Sequence, residues 1–251
     1  MDRGYFLYYG DYNVQQIPFY MHAHDMVRSG NFGWSSLTDI GSNFISAYSF
    51  YLLGSPFFWL TIPFPTAVVP YLMAPLLILK FVVAAITSYA YFRRFCKTPS
   101  LCVLGSLLYA FSSFMVYNIF FNHFNEVAAF FPLMLIALEE LVKNNRKGVF
   151  ALSVGFMAIL NYFMFTGQVA FVIIYFFVRL TTSDDFDVDF KKLGRIAFEA
   201  VLGLALAAIL LVPSIAAILA NPRVDSMNEG FNIFLYWNVQ HYFQILMNFF
   251  L

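Results

Sequence analysis

Six apolar runs, at about 66–92, 100–121, 127–142, 149–165, 168–180 and 196–219, follow one another with only short polar connections. A helix needs ~20 apolar residues to cross the hydrocarbon core of a bilayer. The first, second and sixth runs meet that length, and the third is marginal. The fourth and fifth read as a hairpin with Thr166-Gly167-Gln168 at its tip, neither arm long enough to cross alone. Lipid cannot satisfy an open backbone turn, so this tip is expected inside protein or against a wet cavity. Only 11% of the residues are charged and 61% are hydrophobic, against about 25% charged in ordinary soluble domains. The 33 Phe and 16 Tyr suit a lipid-facing surface with aromatic belts. The sequence predicts an all-α polytopic membrane protein with about six transmembrane helices, and a net charge of +0 gives no field for nucleic acid.

The connections set an orientation. Arg93, Arg94 and Lys97, then Lys143, Arg146 and Lys147, then Arg179, Lys191, Lys192 and Arg195 fall on alternate connections, ten of the 14 basic residues. The opposite side carries Arg3, Arg28 and Arg223. The positive-inside rule places the ten in the cytoplasm. This orientation divides the chain into three regions: an outward loop with interfacial helices at 1–65, a helical bundle at 66–219, and an outward segment at 220–251 entering a further helix. The acidic run Asp184-Asp185-Phe186-Asp187-Val188-Asp189 then falls in a cytoplasmic loop, where it reads as solvated. Cys96 and Cys102 flank a cytoplasmic connection and read as reduced thiols. Residues 1–65 have no signal peptide to carry them out, and the chain stops within Ile245–Leu251, an apolar run. It therefore reads as a fragment at both ends.

The outward region has structure of its own. From Pro18 to Arg28, Phe19, Tyr20, Ala23, Met26 and Val27 follow one helical face and His22, Asp25 and Arg28 the other. That pattern predicts a helix lying in the headgroup plane. Phe44 to Ile62 is interrupted by Gly54-Ser55-Pro56 and reads as a re-entrant or interfacial pair of short helices. His22 and His24, at i, i+2, point to different faces of a helix, so with Asp25 they make no metal site.

Four places carry candidate chemistry. Asp11 follows Gly10 and precedes a helix-prone stretch, with Gln15 one turn on; it is either an N-cap or a carboxylate placed to deprotonate an acceptor hydroxyl. His123 and Glu126 share a face if the turn 122–126 is helical, although Glu126 also suits the positive end of the next helix. Lys80 lies midway along its span, where a charge is costly and marks function by default; the sequence names no partner for it. Arg223 follows the last complete span, either as a headgroup anchor or as a phosphate clamp.

Several stretches in order resemble the bacterial YfhO-type membrane proteins, within the GT-C superfamily of polyprenyl-phosphate-sugar-dependent glycosyltransferases. They are Gly10-Asp11 with Gln15, Pro18, Phe19 and Tyr20; Arg28-Ser29-Gly30 before Trp34; Gly41-Ser42-Asn43-Phe44; and Ser55-Pro56-Phe57. Lys80, Phe131-Pro132-Leu133 with Glu139, and Pro213 with Arg223 extend the likeness along the chain. The resemblance implies a GT-C-like fold in the bacterial cytoplasmic membrane, with the N-terminal region outward. It implies Asp11 as catalytic base; on that reading Gln15, Asn43, His123, Glu126 and Arg223 are the substrate-binding candidates. The expected partners are the bilayer, a polyprenyl-phosphate-linked sugar and a glycan or cell-wall polymer acceptor. No cofactor is expected, and nothing in the sequence supports a divalent metal. A transporter or flippase of lipid-linked glycans is the competing reading, and a non-catalytic membrane scaffold the third.

Overall fold

A computed structural model describes residues 4–38 and 41–220. The chain divides into two compact units, residues 1–214 and 215–251, and the first holds nearly all of the described helical residues. Its secondary structure is almost wholly helical. Gly10, at φ +56°, turns the chain into a π-helical turn, Tyr12–Gln16, which continues directly into helix α1, Ile17–Ser29. Pro18 suits the first turn of α1, where its missing N–H costs nothing. Gly30, left-handed at φ +70°, ends the helix by donating to Val27 O, while Asn31 N donates to Met26 O.

Of the face predicted for α1, Tyr20, Ala23 and Met26 are buried and Phe19 and Val27 half-buried, with Ile17 buried beside them, but the covering surface is protein. Tyr12, Phe44, Tyr48, Leu52, Phe58, Val69 and Met73 close over that face. The apolar face expected to meet headgroups is used by the chain's own core. His24, on the same side, is fully buried and satisfied, with Nδ1 3.0 Å from Thr66 Oγ1 and Nε2 3.1 Å from Thr61 O. Because a carbonyl only accepts, His24 carries its proton on Nε2.

Phe44 to Ile62 is a series of short pieces: α2 (Phe44–Tyr48), a π-helical turn (Ser49–Leu53) and α3 (Pro56–Trp59). Asn43 Oδ1 accepts from Ile45 N at 2.9 Å and caps α2; Ser55 Oγ accepts from Phe58 N at 3.1 Å and caps α3. Between them Gly54 lies against the carbonyl of Ile159, where a Cβ would sit 1.9 Å from the oxygen. Gly54→Ala must therefore push two backbones apart. The expected loss is about 1–3 kcal/mol, read as a lowered Tm of the detergent-purified protein.

The bundle comprises α4 (Val69–Phe92), α5 (Pro99–Ala110), α6 (Ser113–Tyr117), α7 (His123–Asn144), α8 (Val149–Leu160), α9 (Tyr162–Thr182) and α10 (Phe190–Leu219). Among the described residues, four stretches are long and apolar enough to cross a membrane: Thr66–Phe92, Pro99–Tyr117, Tyr162–Thr182 and Phe190–Leu219. Helix α7, with 22 residues, spans ~33 Å at 1.5 Å per residue and forms the spine of the core. Met134, Leu138 and Leu141 pack there on Val154, Met157 and Ala158 of α8. The outer faces remain apolar and exposed, Ile78, Leu108, Ile174 and Ile209 among them, as lipid contact requires.

Two segment boundaries differ from the sequence reading. Thr166-Gly167-Gln168 is not a hairpin tip; it lies inside α9, and the break falls at Asn161. Asn161 is extended, its Oδ1 accepts from Met164 N at 2.9 Å to cap α9, and its Nδ2 donates to Phe50 O at 3.0 Å. Gly167 breaks nothing because glycine is well tolerated in membrane helices. The second run, read as one span, is interrupted at Phe111 and Ser112 between α5 and α6.

The basic end of the bundle carries a network of ion pairs, beside which the four Asp of the acidic run stay exposed. Glu139 accepts from Arg179 Nε and from Tyr175 OH, each at 2.6 Å. The Arg179 guanidinium lies between the rings of Phe95 and Phe186. Asp185, read as solvated, joins Lys143 and Arg179, and the Lys143 ammonium holds its carboxyl below the usual carboxylate range. Glu140 takes Arg94 and Arg146. Cys96 and Cys102 are both free thiols. Glu199 of α10 reaches across to the start of α8, accepting from Gly148 N at 2.8 Å and Ala151 N at 3.2 Å. Glu199→Leu strands both donors in a buried place, and we expect it to cost about 1–3 kcal/mol, measured by thermal unfolding in detergent; Glu199→Gln, which keeps an acceptor, should lose less.

Candidate functional site

The N-terminal π turn, the short helical pieces between Phe44 and Trp59 and the facing helices α4 and α7 meet at a buried polar cluster. Lys80 reaches it from the middle of α4. Its ammonium lies 2.7 Å from Glu126 Oε1, both side chains 1% exposed, at a distance fit for an ion pair though outside good hydrogen-bond alignment. The same nitrogen donates to Asn122 Oδ1 at 2.6 Å and Asn122 O at 3.1 Å, and it sits 5.4 Å from the ring centre of Phe57. Three oxygens and an aromatic face thus surround one buried cation. Ser55 lies within hydrogen-bonding reach of both Glu126 and Tyr20, tying α3 and α1 to the pair.

His123 opens α7 beside this pair, on the same helical face as Glu126. Its Nδ1 faces Gln16 Oε1 at 3.4 Å. An amide oxygen only accepts, so Nδ1 carries the proton and Nε2 keeps its lone pair. That Nε2 is buried with no hydrogen-bond partner among the described residues. Phe50, Tyr51 and Phe124 surround the ring, with centroids at 5.3, 5.0 and 4.1 Å. Gln15 Nε2 donates to Tyr51 OH at 3.3 Å. Both π-helical turns therefore converge on His123. Such turns mark functional sites more often than chance placement would give. The Tyr12 hydroxyl and both amide atoms of Asn125 are also buried without hydrogen-bond partners among the described residues. Burial pushes the Tyr12 phenol up to about 12, so it stays protonated and available as a donor.

Asp11 stands at the head of the first π turn, one turn before Gln15 and Gln16. Its backbone is already helical, at φ −65° and ψ −15°, and its side chain makes no capping hydrogen bond. The carboxylate is partly exposed and has no hydrogen bond or ion pair among the described residues.

Lys80, His123 and Glu126 are thus brought together, and Gln15 reaches the same place through Tyr51. Asn43 is not part of the cluster; its oxygen is engaged in capping α2. Arg223 lies outside the described residues. Sequence reasoning missed Tyr12, Gln16, Asn122 and Asn125. The signal was present in part, since Asn122 and Asn125 are polar residues crowded into a turn between apolar runs. Nothing local distinguished Gln16 from Gln15. Among the described residues, no three His, Cys, Asp or Glu side chains come close enough to hold a metal.

Helices of this length and apolarity, with an ion pair sealed between two of them, define a polytopic membrane protein. A family model described as "Bacterial membrane protein YfhO" matches residues 3–251. The chain belongs to this bacterial membrane protein family. No curated protein and no solved structure matches the chain.

Proposed function

We propose that the protein is a membrane glycosyltransferase that moves a sugar from a polyprenyl-phosphate carrier to a hydroxyl of an acceptor outside the cell membrane. The observation that carries this reading is the Asp11 carboxylate, partly exposed and without a partner among the described residues, at the head of a helix rooted in a buried polar cluster. A base must be free to accept a proton, and a capping or ion-paired carboxylate is not. The resemblance to GT-C enzymes supports the same assignment. In this reading residues 1–65 face outward, where basic residues are few.

The reaction follows from the chemistry of the bond. Asp11 takes the proton of the acceptor hydroxyl as its oxygen bonds to the anomeric carbon. The bond from that carbon to the carrier phosphate breaks, its electron pair leaves with the phosphate, and the configuration inverts. Gln15, His123 through Nε2, and the Tyr12 hydroxyl supply polar contacts for sugar or acceptor. Lys80 and Glu126 hold the floor of the site rather than touching substrate. Arg223 is assigned to the departing phosphate, where charge grows in the transition state. The competing transporter reading drew on Lys80 and the short hairpin as a mid-membrane path; Lys80 is ion-paired with Glu126, and residues 166–168 lie within a continuous helix.

Membranes containing the protein, given a radiolabelled polyprenyl-phosphate sugar, should release free polyprenyl phosphate and move the label to an outer-face polymer. Carrier-linked label that only crosses the bilayer, with its glycosidic bond intact, would instead establish the transporter.

A further inference from the structure

A cavity of about 600 Å³ runs along the bundle between α4, α5, α7 and α9, away from the polar cluster. Its walls extend from Ser112 and Gly167 at one end to Tyr91 and Tyr175 at the basic end, with Phe131 and Phe171 in ring contact between them. Three of the hydroxyls along it are engaged within the protein: Tyr109 OH donates to Ala128 O, Ser88 Oγ to Ala84 O, and Tyr175 OH to Glu139. Gln168 donates to Val127 O at 3.5 Å, and its Oε1 is the one buried polar side-chain atom of the lining without a partner among the described residues. The rest of the lining is mainly aromatic and aliphatic, a slot suited to a hydrocarbon chain.

The size of the slot selects its occupant. A helix 10–12 Å across, rising 1.5 Å per residue, takes roughly 120–170 Å³ per residue. The slot has room for roughly four or five such residues, against the ~20 a spanning helix needs. A single flexible chain fits where a helix does not. Charge then selects the headgroup. Arg93 follows Phe92 at the basic mouth, beside Cys102 at the start of α5, and its guanidinium donates to Lys97 O. Arg93 and Lys97 are exposed. Neither joins an acidic side chain among the described residues, unlike Arg94, Lys143, Arg146 and Arg179. We propose that this groove seats one acyl chain of an anionic phospholipid, with its phosphate at Arg93 and Lys97. The assignment is independent of the glycosyltransferase reading.

The test uses the full chain in phosphatidylcholine nanodiscs carrying a trace of phosphatidylglycerol with a diazirine midway along one acyl chain. Labelling should concentrate on the α7 and α9 peptides bearing Phe131 and Phe171, over the α10 peptide bearing the lipid-exposed Ile209. Gly167 lines the groove, and a Cβ there meets nothing within 4 Å, so Gly167→Phe projects a ring into the slot without displacing the helix. In that variant groove labelling should fall to the level of the Ile209 peptide. Excess unlabelled phosphatidylglycerol should compete in the wild type, a readout that needs no variant to fold. Arg93→Gln with Lys97→Gln should cut the preference for phosphatidylglycerol over phosphatidylcholine roughly thirty-fold at low salt. Labelling spread evenly around the bundle, or unchanged by Gly167→Phe, would overturn the site. Displacement of the probe by polyprenyl phosphate but not by phosphatidylglycerol would overturn the occupant. An unchanged lipid preference in the double variant would overturn the headgroup position.

Discussion

Lys80→Met is expected to destabilise the protein by about 3–5 kcal/mol, because it leaves the Glu126 carboxylate buried without its counter-ion. The ammonium and carboxylate are each 1% exposed at 2.7 Å, so water does not reach in to replace the missing partner. The same substitution removes both hydrogen bonds to Asn122 and with them the tie between mid-α4 and the turn that begins α7. The double variant Lys80→Met with Glu126→Leu should regain part of the loss. Replacing both members of a buried ion pair with apolar groups of similar size is often nearly neutral. What it does not regain is the part owed to Asn122, about 1–3 kcal/mol for buried acceptors left unmet. Thermal unfolding of matched detergent preparations measures all three. A Lys80→Met protein as stable as the wild type would mean that the pair carries no structural load, and a double variant no better than the single would mean that the cost lies outside the pair.

Much of the bundle was legible because hydrophobic length is a direct physical constraint. The run at 66–92 became Thr66–Phe92, and the longest helix, α10, covers the run at 196–219. Depth alone singled out Lys80, and the i, i+3 spacing placed His123 and Glu126 on one face. Turn chemistry failed at Gly167, since a glycine that breaks a helix in water is harmless in a membrane span. The true break at Asn161 depends on a backbone partner 111 residues away, at Phe50. Partners at such range explain the remaining misses. Gln16 meets His123 across 107 positions, and Asp185 meets Lys143 across 42. Spacing within a segment says which side chains share a face, but not what the face will meet.

Asp11→Asn is expected to fold, insert and purify like the wild type, because the carboxylate makes no capping bond or ion pair among the described residues for the amide to lose. Transfer should nonetheless fall by roughly 10²–10⁴-fold, the usual loss for a general base. An amide matches the carboxylate in size and polarity and cannot take a proton. Asp11→Ala should lose as much activity, and with no cap to remove it should keep its Tm as well. A carboxylate that acted only as a cap would give the opposite order, with Asn close to wild type and Ala lowered by about 1 kcal/mol in stability. The direct measurement is the initial rate of sugar transfer from a labelled polyprenyl-phosphate donor, in vesicles with equal amounts of wild-type and Asp11→Asn protein. Wild-type turnover with an Asn variant at least roughly 10²-fold slower is the predicted result; an Asn variant that transfers at the wild-type rate would contradict the assignment of Asp11 as the base.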